Sequence, residues 1–163
     1  MTENLQALLQ QSIEEVLEKM FFIRSLAALG DNTVESQDGV MVRLAFGGEA
    51  AGSLRMRVTA AMARSISADF LGLEESELTG NQVGEVICEL ANMICGSFLS
   101  RVACTAAFRI GAPQLIEDIE FSNPASQESG SAASHSVDTG EGSLTVWVNT
   151  EIPECSSAKR HAS

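Results

Sequence analysis

The sequence is poor in basic residues, with 10 lysines and arginines against 22 aspartates and glutamates and a net charge of −12. Such a chain is repelled by a phosphate backbone, which argues against nucleic-acid binding. The sequence also lacks an apolar run of the roughly 18 residues that a membrane span needs. Its first residues, Met1–Asn4, carry no basic segment of a signal peptide. We therefore expect a cytoplasmic protein with no membrane partner.

Several catalytic and metal-binding patterns are missing as well. The sequence has no Ser/His/Asp set and no G-x-x-x-x-G-K-[ST] phosphate loop. His135 and His161 fall in segments predicted as loop and tail, where solvent exposure is expected. No C-x-x-C pair and no zinc-type Cys/His spacing joins the four cysteines Cys88, Cys95, Cys104 and Cys155. Free thiols and no bound metal are the expectation, and a small-molecule enzyme is disfavoured.

What is present is an ordinary apolar content of 45% in 163 residues, which suits one globular domain with a core. We place that domain at residues 1–152. The stretch 123–142 is rich in Ser, Ala, Gly and acidic residues, so it cannot bury enough apolar area to offset its ordering entropy. A flexible loop is predicted there, and a disordered tail at 153–163.

Apolar residues at three- and four-residue steps predict three helices. The first covers about 3–22, with 29 as its furthest end, and the second covers about 60–72 and ends at Gly72. The third helix is predicted over about 82–103, with Asn81 as its N-cap.

Period-two alternation predicts the strands. Residues 40–46 and 54–58 alternate on either side of Gly47-Gly48, which indicates a hairpin with one buried face. Further extended segments are predicted at 108–110, at 115–121 and at 144–148. Together with the helices, this order favours a two-layer α+β domain in which the first and third helices lie side by side on one face of a mainly antiparallel sheet.

The third helix carries one narrow polar stripe. Glu85, Glu89, Asn92 and Gly96 are spaced four, three and four, so they fall within roughly 60° of one another around the helix. Most other positions of the helix are apolar. Asn and Gly are poor helix formers, and Gly costs about 1 kcal/mol against Ala in a helix interior. The stripe is either a solvated face or a face that another protein approaches.

The run Glu-Leu-Ala-Asn-Met-Ile-Cys-Gly at 89–96 resembles the CheX branch of the CheC/CheX/FliY family of chemotaxis phosphatases. The family motif is Asp or Ser, three residues, Glu, two residues, Asn, and a downstream Pro. The resemblance covers about 3–122 and the last strand, and its specific part is the third-helix motif. Glu85 departs from the usual Asp or Ser, and Pro113 follows Asn92 at a slightly shorter spacing. The single motif copy resembles CheX rather than a two-site CheC chain.

The resemblance implies a CheC-like fold and a phosphatase that hydrolyses the aspartyl phosphate of a CheY-like response-regulator receiver domain in two-component signalling. Asn92 would orient the attacking water, and Glu89 would pair with the receiver's active-site lysine. Glu85 and Gly96 are candidate partner contacts. The chain would need no cofactor of its own, because the receiver would carry Mg²⁺. A homodimer formed through the sheet side is also implied, with 144–148 as a candidate edge.

Two other readings of the sequence remain open. The same helix would serve a non-catalytic module that binds a receiver without hydrolysing its phosphate. It would also suit a structural domain, in which Glu89 and Asn92 are either covered by a dimer contact or simply solvated. Phosphate release from a phosphorylated receiver distinguishes the first alternative, and the exposure of the two side chains bears on the second.

Overall fold

A computed structural model describes residues 2–21, 27–28, 39–48, 51–102, 108–116, 131–138 and 142–150. Its helices are α1 (Thr2–Phe21), α2 (Ala60–Leu71) and α3 (Gly80–Val102), with a single 3₁₀ turn at Glu75–Glu77. Its strands are β1 (Ala27–Ala28), β2 (Gly39–Gly48), β3 (Gly52–Thr59), β4 (Phe108–Ile110), β5 (Gln114–Leu115), β6 (Ser131–Asp138) and β7 (Ser143–Thr150).

The strands form one antiparallel sheet in the order β1-β6-β7-β3-β2-β4, and β5 also pairs with β2. In this register Val42 lies opposite Met56, and Leu54 lies opposite Val148. All four side chains are buried. Because side chains alternate across a strand, one face of the sheet is apolar and the other carries polar residues such as Arg43. The apolar face is the floor of the core.

The helices cover that floor from one side. Arg101 donates a hydrogen bond to the Gln11 side chain, and Ser97 donates one to the Glu15 carboxylate. Helices α1 and α3 therefore run antiparallel beside each other. The carboxylate of Glu15 lies 2.8 Å from the guanidinium of Arg101. Hydrogen bonds from Arg101 and then Lys19 hold the pKa of Glu15 below its ordinary value. The predicted two-layer α+β arrangement, with two long helices on one face of the sheet, is confirmed.

Helix α3 is the central element of this core. By length and composition it is apolar enough to cross a membrane, but 56% of its most apolar window is buried inside the fold. The core helix of a soluble domain passes the same test. Leu90, Ile94 and Phe98 are fully buried against the sheet and its neighbouring helices.

The helix ends follow local hydrogen bonding. Gly72 caps α2 in the left-handed conformation that favours glycine, at φ 69 and ψ 33, as predicted. The predicted cap of α3 at Asn81 is wrong, because Asn81 lies inside the helix. Instead the Gln82 N–H donates to Thr79 Oγ1 at 3.1 Å, and the Thr79 N–H donates to Gln82 Oε1 at 2.9 Å. This reciprocal pair is a capping box.

Strand β6 corrects the prediction of a flexible loop at 123–142. Residues 131–138 pair with β7 along their whole length, so that part of the prediction is wrong. Residues 123–130 and 139–141 lie outside the described residues, as does the predicted tail at 153–163. β7 is also not an edge, because β3 and β6 flank it on both sides.

His135 is the residue most affected by this correction. It was predicted to be exposed, but it lies in β6 with only 8% of its surface exposed, opposite Val146 of the sheet. Helix α1 covers this strand, and Ser134 donates its N–H to the Gln6 side chain at 3.1 Å. Burial lowers the pKa of His135, and the carboxylate of Glu14 opposes that shift.

Two glycines at the turn end of the β2–β3 hairpin differ in how closely their neighbours pack. A Cβ on Gly52 would clash with the carbonyl oxygen of Asn149 and lie 2.6 Å from Phe46, whereas a Cβ on Gly47 meets no described atom within 4 Å. Gly52→Ala should therefore lower the free energy of unfolding by about 1–3 kcal/mol. Gly47→Ala, the control, should change it by less than about 0.5 kcal/mol. Urea unfolding of both variants checks this, and equal effects would contradict it.

The burial of His135 predicts a pH effect on stability. The native state disfavours the protonated imidazole, so the unfolded chain binds more protons as the pH falls below the ordinary value of 6.5. The contribution of neutral His135 to the free energy of unfolding is present above pH 6.5 and is lost as the pH falls through its lowered native pKa. Wild type should therefore lose free energy of unfolding between pH 7.5 and about 5.5 more steeply than His135→Leu. Parallel curves in urea unfolding would contradict this.

Candidate functional site

The outward face of α3 carries the polar stripe that the spacing predicted. Glu85 and Glu89 are exposed, and Asn92 and Gly96 are half-buried. The rest of the helix circumference is occupied by its ten buried residues, Val83, Gly84, Val86, Ile87, Leu90, Ala91, Ile94, Cys95, Phe98 and Leu99. Because those residues fix the rotation of the helix, the four stripe residues share one side that faces away from the core.

Asn92 is not packed inside the core. Among the described residues, its side chain and that of Glu89 have no hydrogen-bond or ion-pair partner. A carboxamide both donates and accepts hydrogen bonds, and a carboxylate only accepts them. The two side chains are one helical turn apart, so they can contact the same small area of an approaching molecule.

Two carboxylates give the stripe a negative charge. Glu85 and Glu89 are four residues apart, and the one basic residue of α3, Arg101, lies in its last turn and pairs with Glu15. The negative charge also affects Cys88. Burial is the larger cause that raises the pKa of Cys88, and the Glu85 carboxylate is the second. The stripe therefore favours a cationic group on a partner.

The thiols of α3 are unsuited to nucleophilic chemistry. Cys88 and Cys95 are free, as the sequence predicted. Burial raises the pKa of Cys95 to about 12, so both thiols stay protonated near neutral pH. Thiolate is the reactive form of cysteine. The chemistry of this face therefore depends on the amide and the carboxylates.

Sequence reasoning missed two apolar side chains that border the stripe. Among the described residues outside the backbone of α3, Ile110 of β4 is the one within 4 Å of a Cβ placed on Gly96, at 3.8 Å. Leu115 of β5 lies over Gly84, where an added Cβ would come within 2.8 Å of its Cδ1. The alternation at 108–110 predicted the strand but not its position beside α3, because strand pairing and helix docking are long-range.

Within the part of the chain that the structure describes, no group of three or more His, Cys, Asp or Glu side chains is arranged to hold a metal ion. Glu85 and Glu89 alone supply two carboxylates on an exposed helix face. What the arrangement offers is an acidic surface with one amide in it. Such a surface can position a group or a water on another protein.

Comparison with known proteins gives a consistent match. A family model described as chemotaxis phosphatase CheX matches residues 40–134. A crystal structure of chemotaxis protein CheX from Vibrio vulnificus has a TM-score of 0.71 and 16% identity, covering 93% of this chain and 99% of that chain. No curated protein sequence gives a significant match.

Two further structures extend the fold comparison. A CheX-CheY-BeF3-Mg complex from Borrelia burgdorferi has a TM-score of 0.68 and 19% identity, covering 90% of this chain and 97% of that chain. Thermotoga maritima FliY has a TM-score of 0.51 and 12% identity, covering 99% of this chain and 93% of that chain. At these identities the structural likeness establishes the fold.

Proposed function

Since the chain belongs to the CheX family of chemotaxis phosphatases, we propose that it hydrolyses the aspartyl phosphate of a CheY-like receiver domain. The observation that carries the proposal is the outward placement of Glu89 and Asn92 on one face of α3, with no partner among the described residues. A site that acts on another protein needs its reactive groups at an approachable surface. The position of these two side chains meets that requirement.

Asn92 would supply the chemistry. An acyl phosphate is already reactive, and phosphoryl transfer is largely a matter of positioning and charge stabilisation. The carboxamide would enter the receiver site and hold a water in line with the leaving carboxylate. Its oxygen would accept a hydrogen bond from that water. An amide does not act as a base, so this step requires no shifted pKa in the chain.

Glu89 would fix the register of the complex. Its exposed carboxylate would pair with the receiver's active-site lysine, which lies close to the phosphoryl group. Docking removes water from this pair and so strengthens it relative to an exposed ion pair. Glu85, one turn before Glu89, would contact the rim of the receiver, and Gly96 would allow its close approach.

The charge stabilisation would come from the partner. Mg²⁺ bound by the receiver would neutralise the phosphoryl oxygens, and this chain would add no cofactor of its own. In the Borrelia burgdorferi complex, CheX occurs together with CheY, BeF3 and Mg. A partner of this class also implies a cytoplasmic location and a role in chemotaxis or a related two-component pathway.

The alternatives raised by the sequence differ from this proposal in one measurable result. A non-catalytic receiver-binding or structural signalling module of the same fold would release no phosphate. A homodimer through the sheet side stays a prediction. If a sheet edge forms the interface, it is not β7, which β3 and β6 enclose.

Asn92→Ala should reduce dephosphorylation of a phosphorylated receiver to the receiver's own rate, because the complex loses the carboxamide that holds the water in line. Alanine forms helix better than asparagine, so the variant should unfold at equal or slightly higher urea. Asn81→Ala is the matched control, since it makes the same exchange at an exposed position about 16 Å away on α3. Loss of radiolabel from the receiver measures the rates.

Wild-type rates from Asn92→Ala would refute the proposed mechanism. A comparable loss of rate in Asn81→Ala would show that the effect is not specific to position 92. Loss of activity together with lower stability would point to a folding defect instead.

Glu89→Ala should weaken receiver binding as well as turnover, because the receiver's lysine loses its charged partner. A hydrogen bond to a charged group contributes about 1.5–3 kcal/mol, so we expect a roughly 10- to 100-fold weaker Kd. Glu75→Ala removes the same charge from an exposed position in the 3₁₀ turn and serves as the control. Calorimetric titration gives both values. An unchanged Kd for Glu89→Ala would argue against the lysine pairing.

A further inference from the structure

Two exposed apolar side chains lie against the same helix as the polar stripe. Leu115 is 56% exposed and Ile110 is 36% exposed. Their strands, β5 and β4, are short and lie at one edge of the sheet. Neither side chain belongs to the buried core. An isolated exposed leucine needs no explanation, but a pair beside a candidate site is informative.

The two side chains bracket the stripe along the helix axis. Leu115 rests on Gly84, one residue before Glu85, and Ile110 is the neighbour of Gly96. From position 84 to position 96 an α-helix rises about 18 Å. The carboxylates and the amide therefore lie between two apolar contacts along the helix axis.

The helix glycines fit this arrangement. Any Cβ at position 84 would meet Leu115 at 2.8 Å and displace it, so Gly84 permits the leucine to lie flat against α3. At position 96 the nearest described atom outside the backbone of α3 belongs to Ile110 and lies 3.8 Å from the added Cβ. Leu115 therefore packs on α3 at position 84, and Ile110 lies beside position 96.

We infer that Ile110 and Leu115 are the apolar contacts through which a phosphorylated receiver domain docks, with its phosphoaspartate placed at Asn92. This inference rests on the proposed function and adds to it the surface that supplies affinity. Apolar side chains that become desolvated at an interface add to binding beyond what the Glu89 ion pair supplies. Glu89 then sets the register, and the two apolar side chains hold the complex together.

The test uses Leu115→Ser and Ile110→Ser in the full chain. Leu71→Ser is the matched control, because Leu71 is 40% exposed at the end of α2. The probes are CheY-like receiver domains from the same organism, loaded with BeF₃⁻ and Mg²⁺ for calorimetric binding and phosphorylated for steady-state phosphate release. Circular dichroism and urea unfolding establish that each variant is folded.

Leu115→Ser and Ile110→Ser should each raise Kd and KM roughly tenfold and leave the maximal rate within about twofold. Truncation of an apolar interface contact weakens binding without changing the position of the attacking water. Leu71→Ser should change neither Kd nor KM. If Leu115→Ser and Ile110→Ser both bind the receiver with the wild-type Kd, while the wild-type chain binds and dephosphorylates it, this inference is overturned and the proposed function stands. If the two variants bind the receiver more weakly but the wild-type chain releases no phosphate from it, the docking surface is upheld and the phosphatase proposal is overturned. A wild-type chain that binds no receiver would overturn both.

Discussion

The rotation of α3 within its packing is the constraint on which the rest of the structure depends. The helix is held by the sheet below and by α1 and α2 beside it. Fully buried Leu90, Ile94 and Phe98 fix which side faces inward. Asn92 therefore faces outward, and no residue that the structure describes holds its side chain by a hydrogen bond. A rotation of one residue, about 100°, would carry it off the outward face. Core packing, rather than a polar network, determines the geometry of the candidate site.

The local parts of this molecule could be read from the sequence, and the long-range parts could not. The 3.6-residue period located α3 to within two residues at its start, and the spacing of Glu85, Glu89 and Asn92 placed them on one face. Asn81 was the wrong cap because Thr79 and Gln82 form a reciprocal pair, which is a stronger signal than a lone asparagine.

Strand β6 shows where sequence reasoning fails. Its residues 131–138 are mostly small and polar, and Val137 is its one β-branched apolar residue. What makes it a strand is β7 on one side and the cover of α1, neither of which appears in a local window. The same long-range packing buried His135, which composition had placed in solvent. The positions of Ile110 and Leu115 beside α3 were missed for the same reason.

The separation between the two faces of α3 has an evolutionary consequence. Inward positions contribute to the core, whereas Glu85, Glu89, Ile110 and Leu115 lie outside it. Changes at these outer positions remove no side chain from the core. If they contact the receiver, duplicated copies of such a gene can diverge there and acquire different receivers. Sister pathways in one cell would then be insulated from cross-talk, while the inherited framework stays constant.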